Sequence, residues 1–150
     1  MDEQISIREQ LNTTLRLHRR LRHDLERREY LMAKATAAPA LPVGERVQTS
    51  PTNNGTLVLD ALADLDTEIQ AEAAELEREK RKVRRMMAGA DLTKEEQEVC
   101  GLRYLNGLTW TEIAGLMYWS QRQVQRIHGT ALAKIGTRWH ALAHSDTQEP

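Results

Sequence analysis

Residues 92–135 read LTKEEQEVCGLRYLNGLTWTEIAGLMYWSQRQVQRIHGTALAKI, and three helix starts are written into them. Thr93-x-x-Glu96, Thr109-x-x-Glu112 and Ser120-x-x-Gln123 are capping boxes. In each, the hydroxyl accepts from the backbone N–H three residues on, and the Glu or Gln reaches back to the N–H of the cap. Three starts so close together predict three short helices. Asn106-Gly107 closes the first, because glycine takes the left-handed conformation that ends a helix. Only Tyr118 and Trp119 stand between the second pattern and the Ser120 cap, so the second and third helices must meet at a tight turn. That is the layout of a helix-turn-helix.

The third helix has two distinct faces. Val124, Ile127, Ala131 and Ile135 recur at intervals of three and four and form its apolar side. Gln121, Arg122, Gln125 and Arg126 occupy the opposite side as two i, i+4 stripes in the first turn and a half after the cap. This is the part of a recognition helix that enters the major groove of DNA. Arginine can bond O6 and N7 of guanine with two parallel hydrogen bonds, and glutamine can bond N6 and N7 of adenine. Between Ser120 and His140 the charged residues are Arg122, Arg126, Lys134 and Arg138, with no acid among them, so the helix meets a polyanion without local repulsion. The candidate DNA-binding residues are therefore Gln121, Arg122, Gln125 and Arg126, with Lys134 behind them and the caps Ser120 and Thr109 placed for phosphate contact. The same face also reads as a solvated surface on a helix that packs another protein.

The stretch "LRYLNGLTWTEIA" followed by "SQRQVQRIHGTALAKI" resembles the C-terminal promoter-reading domain of bacterial sigma factors. Within that wide group the chain resembles phage-encoded late transcription regulators of the RinA and ArpU type. The tryptophan of "LTWTEIA", the "S-x-R-x-V" entry and a long helical region upstream with a "GERVQTS" linker carry that likeness. The resemblance implies a sequence-specific regulator of late genes, acting on double-stranded DNA and on RNA polymerase in the cytoplasm of a bacterial host. One departure stands out. The family commonly has Gly in the turn where this chain has Tyr118, and a bulky residue at positive φ costs about 1 to 2 kcal/mol. Either the turn is rebuilt, or Tyr118 and Trp119 pack so as to offset the strain.

A formal net charge of -1 gives no global basic signature, so a DNA binder of this composition must segregate its charge. Asp60, Asp64, Asp66, Glu68, Glu72, Glu75, Glu77 and Glu79 face one cation, Arg78, and the basic run Lys80-Arg81-Lys82-Val83-Arg84-Arg85 follows at once. That run can reach a phosphate backbone beside the motif. It reads equally as a solvated helix face paired with the preceding acids at i, i+4, and the sequence leaves the two open.

The first 36 residues contain no Gly or Pro and carry a stripe of Leu11, Leu15, His18, Leu21, Leu25 and Met32, which predicts one long helix. A second runs from about Leu59 to Ala88, with Leu62, Ile69, Leu76 and Val83 at seven-residue spacing and Leu65 and Met86 between, a coiled-coil pattern. The segment joining them, "ATAAPALPVGERVQTSPTNNGT", is rich in Pro, Gly, Ser, Thr and Asn and reads as a linker. Glu72 and Glu79 stand where a coiled coil wants Leu, and His18 lies on the first stripe, so a solitary hairpin would be poorly filled. A homodimer would fill it and would give two recognition helices for two half-sites; a monomer with the hairpin packed on the motif stays open. The expected fold is all-α: a long N-terminal helical hairpin or coiled coil at 1–90 with a linker at about 37–56, a sigma-like helix-turn-helix at 91–140, and a polar tail at 141–150.

Other function classes find little purchase. Cys100 is the single cysteine, which excludes an internal disulfide and fits a reducing cytoplasm; among apolar neighbours it reads as a core residue. No apolar stretch reaches the roughly 20 residues that span a bilayer. His140 and His144 are four apart, but no local acid or thiol completes a metal site, and Gly136 is placed to end the helix before them. No P-loop, dinucleotide fingerprint or nucleophile elbow occurs, so neither an enzyme nor a cofactor is expected. Trp110 and Tyr104 read as packing residues and Trp119 as a cover for the turn. Two rival functions remain: a small terminase-like DNA-packaging subunit, which also joins such a motif to a helical oligomerisation region, and a helical interaction module that binds RNA polymerase and never DNA.

Overall fold

The structure is a computed structural model that describes residues 2–36 and 54–145, with side chains described over 7–36 and 55–139. Among the described residues every regular element is helical. Helix α1 spans Asp2–Thr36 and α2 spans Asn54–Gly89. Helix α3 spans Lys94–Cys100 and continues as a π-helical turn over Gly101–Leu105; α4 is Trp110–Met117 and α5 is Gln121–Ser145. The all-α fold expected from the sequence is the one found. Most of the anticipated linker, residues 37–53, lies outside the described residues, and its end from Asn54 already belongs to α2.

The chain divides into two compact units, and both long helices pass from one to the other. The first joins the residues up to Arg19 to those from Glu75 onward, and the second is Arg20–Ala74. This division differs from the boundary at residue 90 suggested by the motif. The reason is packing: Ile7 and Leu11 of α1 and Val83 and Met86 of α2 share one buried cluster with Ala90, Leu92, Cys100, Tyr104, Ala131 and Ile135. The helix-turn-helix thus builds its base from both ends of the chain.

A second buried cluster belongs to the motif itself. Val99, Ile113, Ala114 and Val124 are its centre, with Leu102, Leu108, Trp110, Met117, Trp119 and Ile127 packed around them. Ala114 is the small residue on the buried side of α4. Burying aliphatic side chains of this size stabilises the fold by roughly 1.5 to 3 kcal/mol each.

The buried side of α1 differs in register from the expected stripe. Ile7, Leu11, Thr14 and Leu17 are buried, Leu21, Asp24, Arg28 and Leu31 are half-buried, and Leu25 and Met32 are exposed. A helix packed along its length follows a repeat near 3.5 residues, so the seam moves off a stripe continued by apolarity alone. On α2 the heptad positions largely hold: Leu62, Leu65, Leu76, Val83 and Met86 are buried, and Ile69 is half-buried.

The polar residues that seemed to call for a second chain are partnered within this one. In the first unit Gln10 Nε2 donates to Glu79 Oε2, and His18 Nε2 donates to the Tyr104 carbonyl at 2.7 Å. In the second, Arg20 Nε lies 2.8 Å from Glu72 Oε1 and Arg28 pairs with Asp66. Glu72 is buried; that burial and then the nearby Asp24 push its carboxyl above the usual range, while Arg20 opposes them.

The helix ends follow the capping logic. Thr93 Oγ1 accepts from Glu96 N at 3.2 Å and Glu96 Oε2 accepts from Thr93 N at 3.3 Å, a complete box. At Thr109 and Ser120 the hydroxyl half forms, from Glu112 N and Gln123 N, both at 3.2 Å. The first helix ends at Gly107, φ 70°, where Leu108 N–H returns to the Leu102 carbonyl at 3.0 Å. Gly136, expected as a stop, is buried inside α5, which runs on to Ser145. A mid-helix glycine costs about 1 kcal/mol against alanine, and the docking of the adjacent Ile135 in the core outweighs it. The first part of the expected polar tail, as far as Ser145, is therefore helical.

Tyr118 takes the left-handed conformation, φ 56° and ψ 36°, so the turn is not rebuilt. Trp119 N–H closes it on the Ala114 carbonyl at 3.1 Å and the Trp119 ring packs on the motif core, whereas Tyr118 is 95% exposed and offsets nothing. Tyr118→Gly is expected to stabilise the protein by about 0.5 to 1 kcal/mol, the relief of left-handed strain less the added freedom of the unfolded glycine. Urea denaturation would register this as a higher midpoint at unchanged slope.

Candidate nucleic-acid interface

Helix α5 is held by its inner face, on which Val124 and Ala131 are fully buried, Ile135 is 2% exposed and Ile127 is partly buried. Gln121, Arg122, Gln125 and Arg126 are all exposed on the other face. The structure therefore brings these four together in one patch at the start of α5, on a helix whose back is fixed. Thr109 and Ser120 are spent as caps of α4 and α5, with their residues still exposed. Gln121 Nε2 donates to Thr111 Oγ1 at 2.8 Å, which ties the patch to the first turn of α4.

Lys134 is not part of that patch. Its Nζ lies 2.9 Å from Glu96 Oε1, so it neutralises the buried carboxylate of the first capping box. The sequence shows a cation on an acid-free helix but not the acid of α3 that packs beside it. Glu95 and Glu96 also line a shallow groove with Gln123, Arg126 and Thr130, so acid stands beside the arginine edge of the patch.

A cluster links the motif helices, and of its members the sequence reading singled out Trp110 and Tyr104 but not Arg103 and His128. The Arg103 guanidinium lies 4.3 Å from the centre of the Trp110 ring, within cation–π range, and Arg103 Nη1 donates to the Leu108 carbonyl at 3.0 Å. The His128 ring meets Trp110 edge-on at 4.6 Å, and its Nε2 is 2.5 Å from the Tyr104 hydroxyl. Burial and then the Arg103 charge push His128 down to about 4, so near neutrality the ring is uncharged and shares a neutral hydrogen bond with the Tyr104 hydroxyl. Trp110 and Tyr104 are thus packing residues, and Trp119 covers the turn. The missed signal was available: His128 follows Ile127 at the border of the apolar face, four residues after Val124.

Beyond the motif, the basic run on α2 resolves into two parts. Lys80 pairs with Glu77 at 3.2 Å and Lys82 with Glu79 at 3.1 Å, both at i, i+3 spacing, while Arg81, Arg84 and Arg85 are exposed. The Lys80 ammonium holds the Glu77 carboxyl below its usual range. Cys100 is fully buried, and burial pushes its thiol up to about 12, which suits a core residue and leaves no thiolate. The side chains of His140 and His144 lie outside the described residues. Among the described residues no helix is long and apolar enough to cross a membrane.

No family model, curated protein or solved structure matches this chain.

Proposed function

We propose that this protein is a sequence-specific DNA-binding transcription regulator whose recognition helix begins at the Ser120 cap. One observation carries the reading: Gln121, Arg122, Gln125 and Arg126 stand exposed and without an intervening acid at the capped start of α5, while the same helix is anchored through Val124, Ala131 and Ile135. Base-edge recognition needs this combination of donors that reach outward and a backbone that does not move. Arg122 and Arg126 take guanine or the adjacent phosphate, and Gln121 and Gln125 read bases. Arg81, Arg84 and Arg85 add salt-dependent, sequence-independent affinity. The resemblance to phage late regulators supplies the biological setting, activation of late genes in a bacterial host.

A partner-protein contact, with RNA polymerase as the candidate, has a separate observation in its favour. Leu116 and Tyr118 are 60% and 95% exposed on α4 and its turn, an apolar pair outside the DNA-facing patch.

Selection of bound duplexes from a random library tests the reading, run with the full chain and with Arg126→Ala at two salt concentrations. The expected result is a recovered motif and an affinity about tenfold lower in the variant, as for loss of one bidentate arginine contact. Equal affinity for every duplex in both proteins would sink sequence-specific reading and favour the packaging or polymerase-binding alternatives, which a mass measurement then separates as a many-copy ring or a small species.

A further inference from the structure

We propose that Thr111 is a positioning residue for base readout: it holds the Gln121 amide in the posture that selects adenine. The inference rests on the DNA-reading function proposed above and adds a residue from the other helix of the motif. Thr111 lies in the first turn of α4 and Gln121 is the first residue of α5, and both are exposed. Gln121 Nε2 donates to Thr111 Oγ1 at 2.8 Å across the two helices. A hydrogen bond between exposed side chains contributes little to stability, since water offers an equal partner to each. What it changes is the number of orientations open to a long side chain.

The chemistry of the amide decides which base is favoured. Glutamine carries one acceptor oxygen and two N–H donors. With one N–H given to Thr111, Oε1 and the second N–H remain side by side. That acceptor–donor pair is complementary to the N6 amino group and N7 of adenine. Guanine presents acceptors at both O6 and N7, so the Gln121 oxygen would face O6 with no proton between them. The Thr111 hydroxyl keeps its own hydrogen for donation, and a phosphate oxygen flanking the read base is the acceptor of matching chemistry.

The experiment is duplex selection from the random library with the wild-type chain, Gln121→Ala, Thr111→Val and Thr111→Ser. The wild type is expected to select adenine at one position of its motif, and Gln121→Ala to lose that choice. Thr111→Val, similar in shape but without the hydroxyl, should lower the adenine preference there about fivefold and leave the guanines read by the arginines intact, as expected when one of several base contacts is loosened. Thr111→Ser should restore the preference, which separates hydroxyl chemistry from any general loss of structure; a melting curve for each variant checks folding. An undiminished adenine preference in Thr111→Val, or an adenine that survives Gln121→Ala, overturns the inference and leaves the DNA reading standing. A wild type that recovers no motif overturns both.

Discussion

Gly107→Ala will destabilise the protein by about 3 kcal/mol, the sum of a left-handed backbone penalty near 1 to 2 kcal/mol and an overpacking cost of similar size. Gly107 holds φ 70°, and a methyl group there would stand 2.6 Å from His18 Nδ1 and 2.7 Å from His18 Cγ. The imidazole cannot simply swing away, because its Nε2 is bound to the Tyr104 carbonyl at 2.7 Å. Denaturant unfolding of Gly107→Ala, His18→Ala and the double variant tests the steric part. The double variant is expected to be more stable than the sum of the single losses predicts, since without the ring the methyl group has room. Strict additivity would mean that the glycine is needed for its backbone angle alone.

Acid will weaken the protein through His128. This ring is held neutral in the folded state, at about 4 against an ordinary value of 6.5, first by burial and then by Arg103. Between those two values the unfolded chain binds the proton and the folded one does not. The contribution is therefore complete above pH 6.5 and is lost as pH falls toward 4, on the order of 2 kcal/mol once the partial exposure of the ring is allowed for. Glu72, with its raised carboxyl, acts in the opposite sense: its folded form gains from protonation at low pH. The clean measurement is thus a difference, stability at pH 7 less stability at pH 4.5, compared between wild type and His128→Asn. The variant should show the flatter profile; parallel profiles would remove His128 from the acid response.

Much of this was readable along the chain, and the limits have a common physical origin. The caps at Thr93, Thr109 and Ser120, the stop at Gly107 and the buried face of α5 are all local, written in residues three or four apart. The strain at Tyr118 was readable for the same reason. What the sequence concealed were partners distant in the chain. Lys134 looks available until Glu96 is brought against it, Glu72 and Glu79 look unpaired until Arg20 and Gln10 arrive, and Thr111 has no mark of its own until Gln121 reaches it. The α1 stripe failed differently: Leu25 and Met32 continue the apolar pattern, but Asp24 and Arg28 take the inner positions and make polar contacts there. Gly136 misled because a glycine has two uses in a helix, as a terminator and as a gap, and the choice depends on what packs beside it.

The cluster that seats Ile7 and Leu11 against Ala131 and Ile135 also sets an order of events during synthesis. A ribosome delivers the first two of these residues long before the last two, so the early apolar side of α1 must wait in water, or on a chaperone, while the rest is made. The motif cannot acquire its full base until α5 has emerged, and a nascent chain stalled within α4 would carry a helix capped at Thr109 with no α5 to pack against. The packed motif would then arrive late and abruptly, a timing that depends on which stretches of chain share one core.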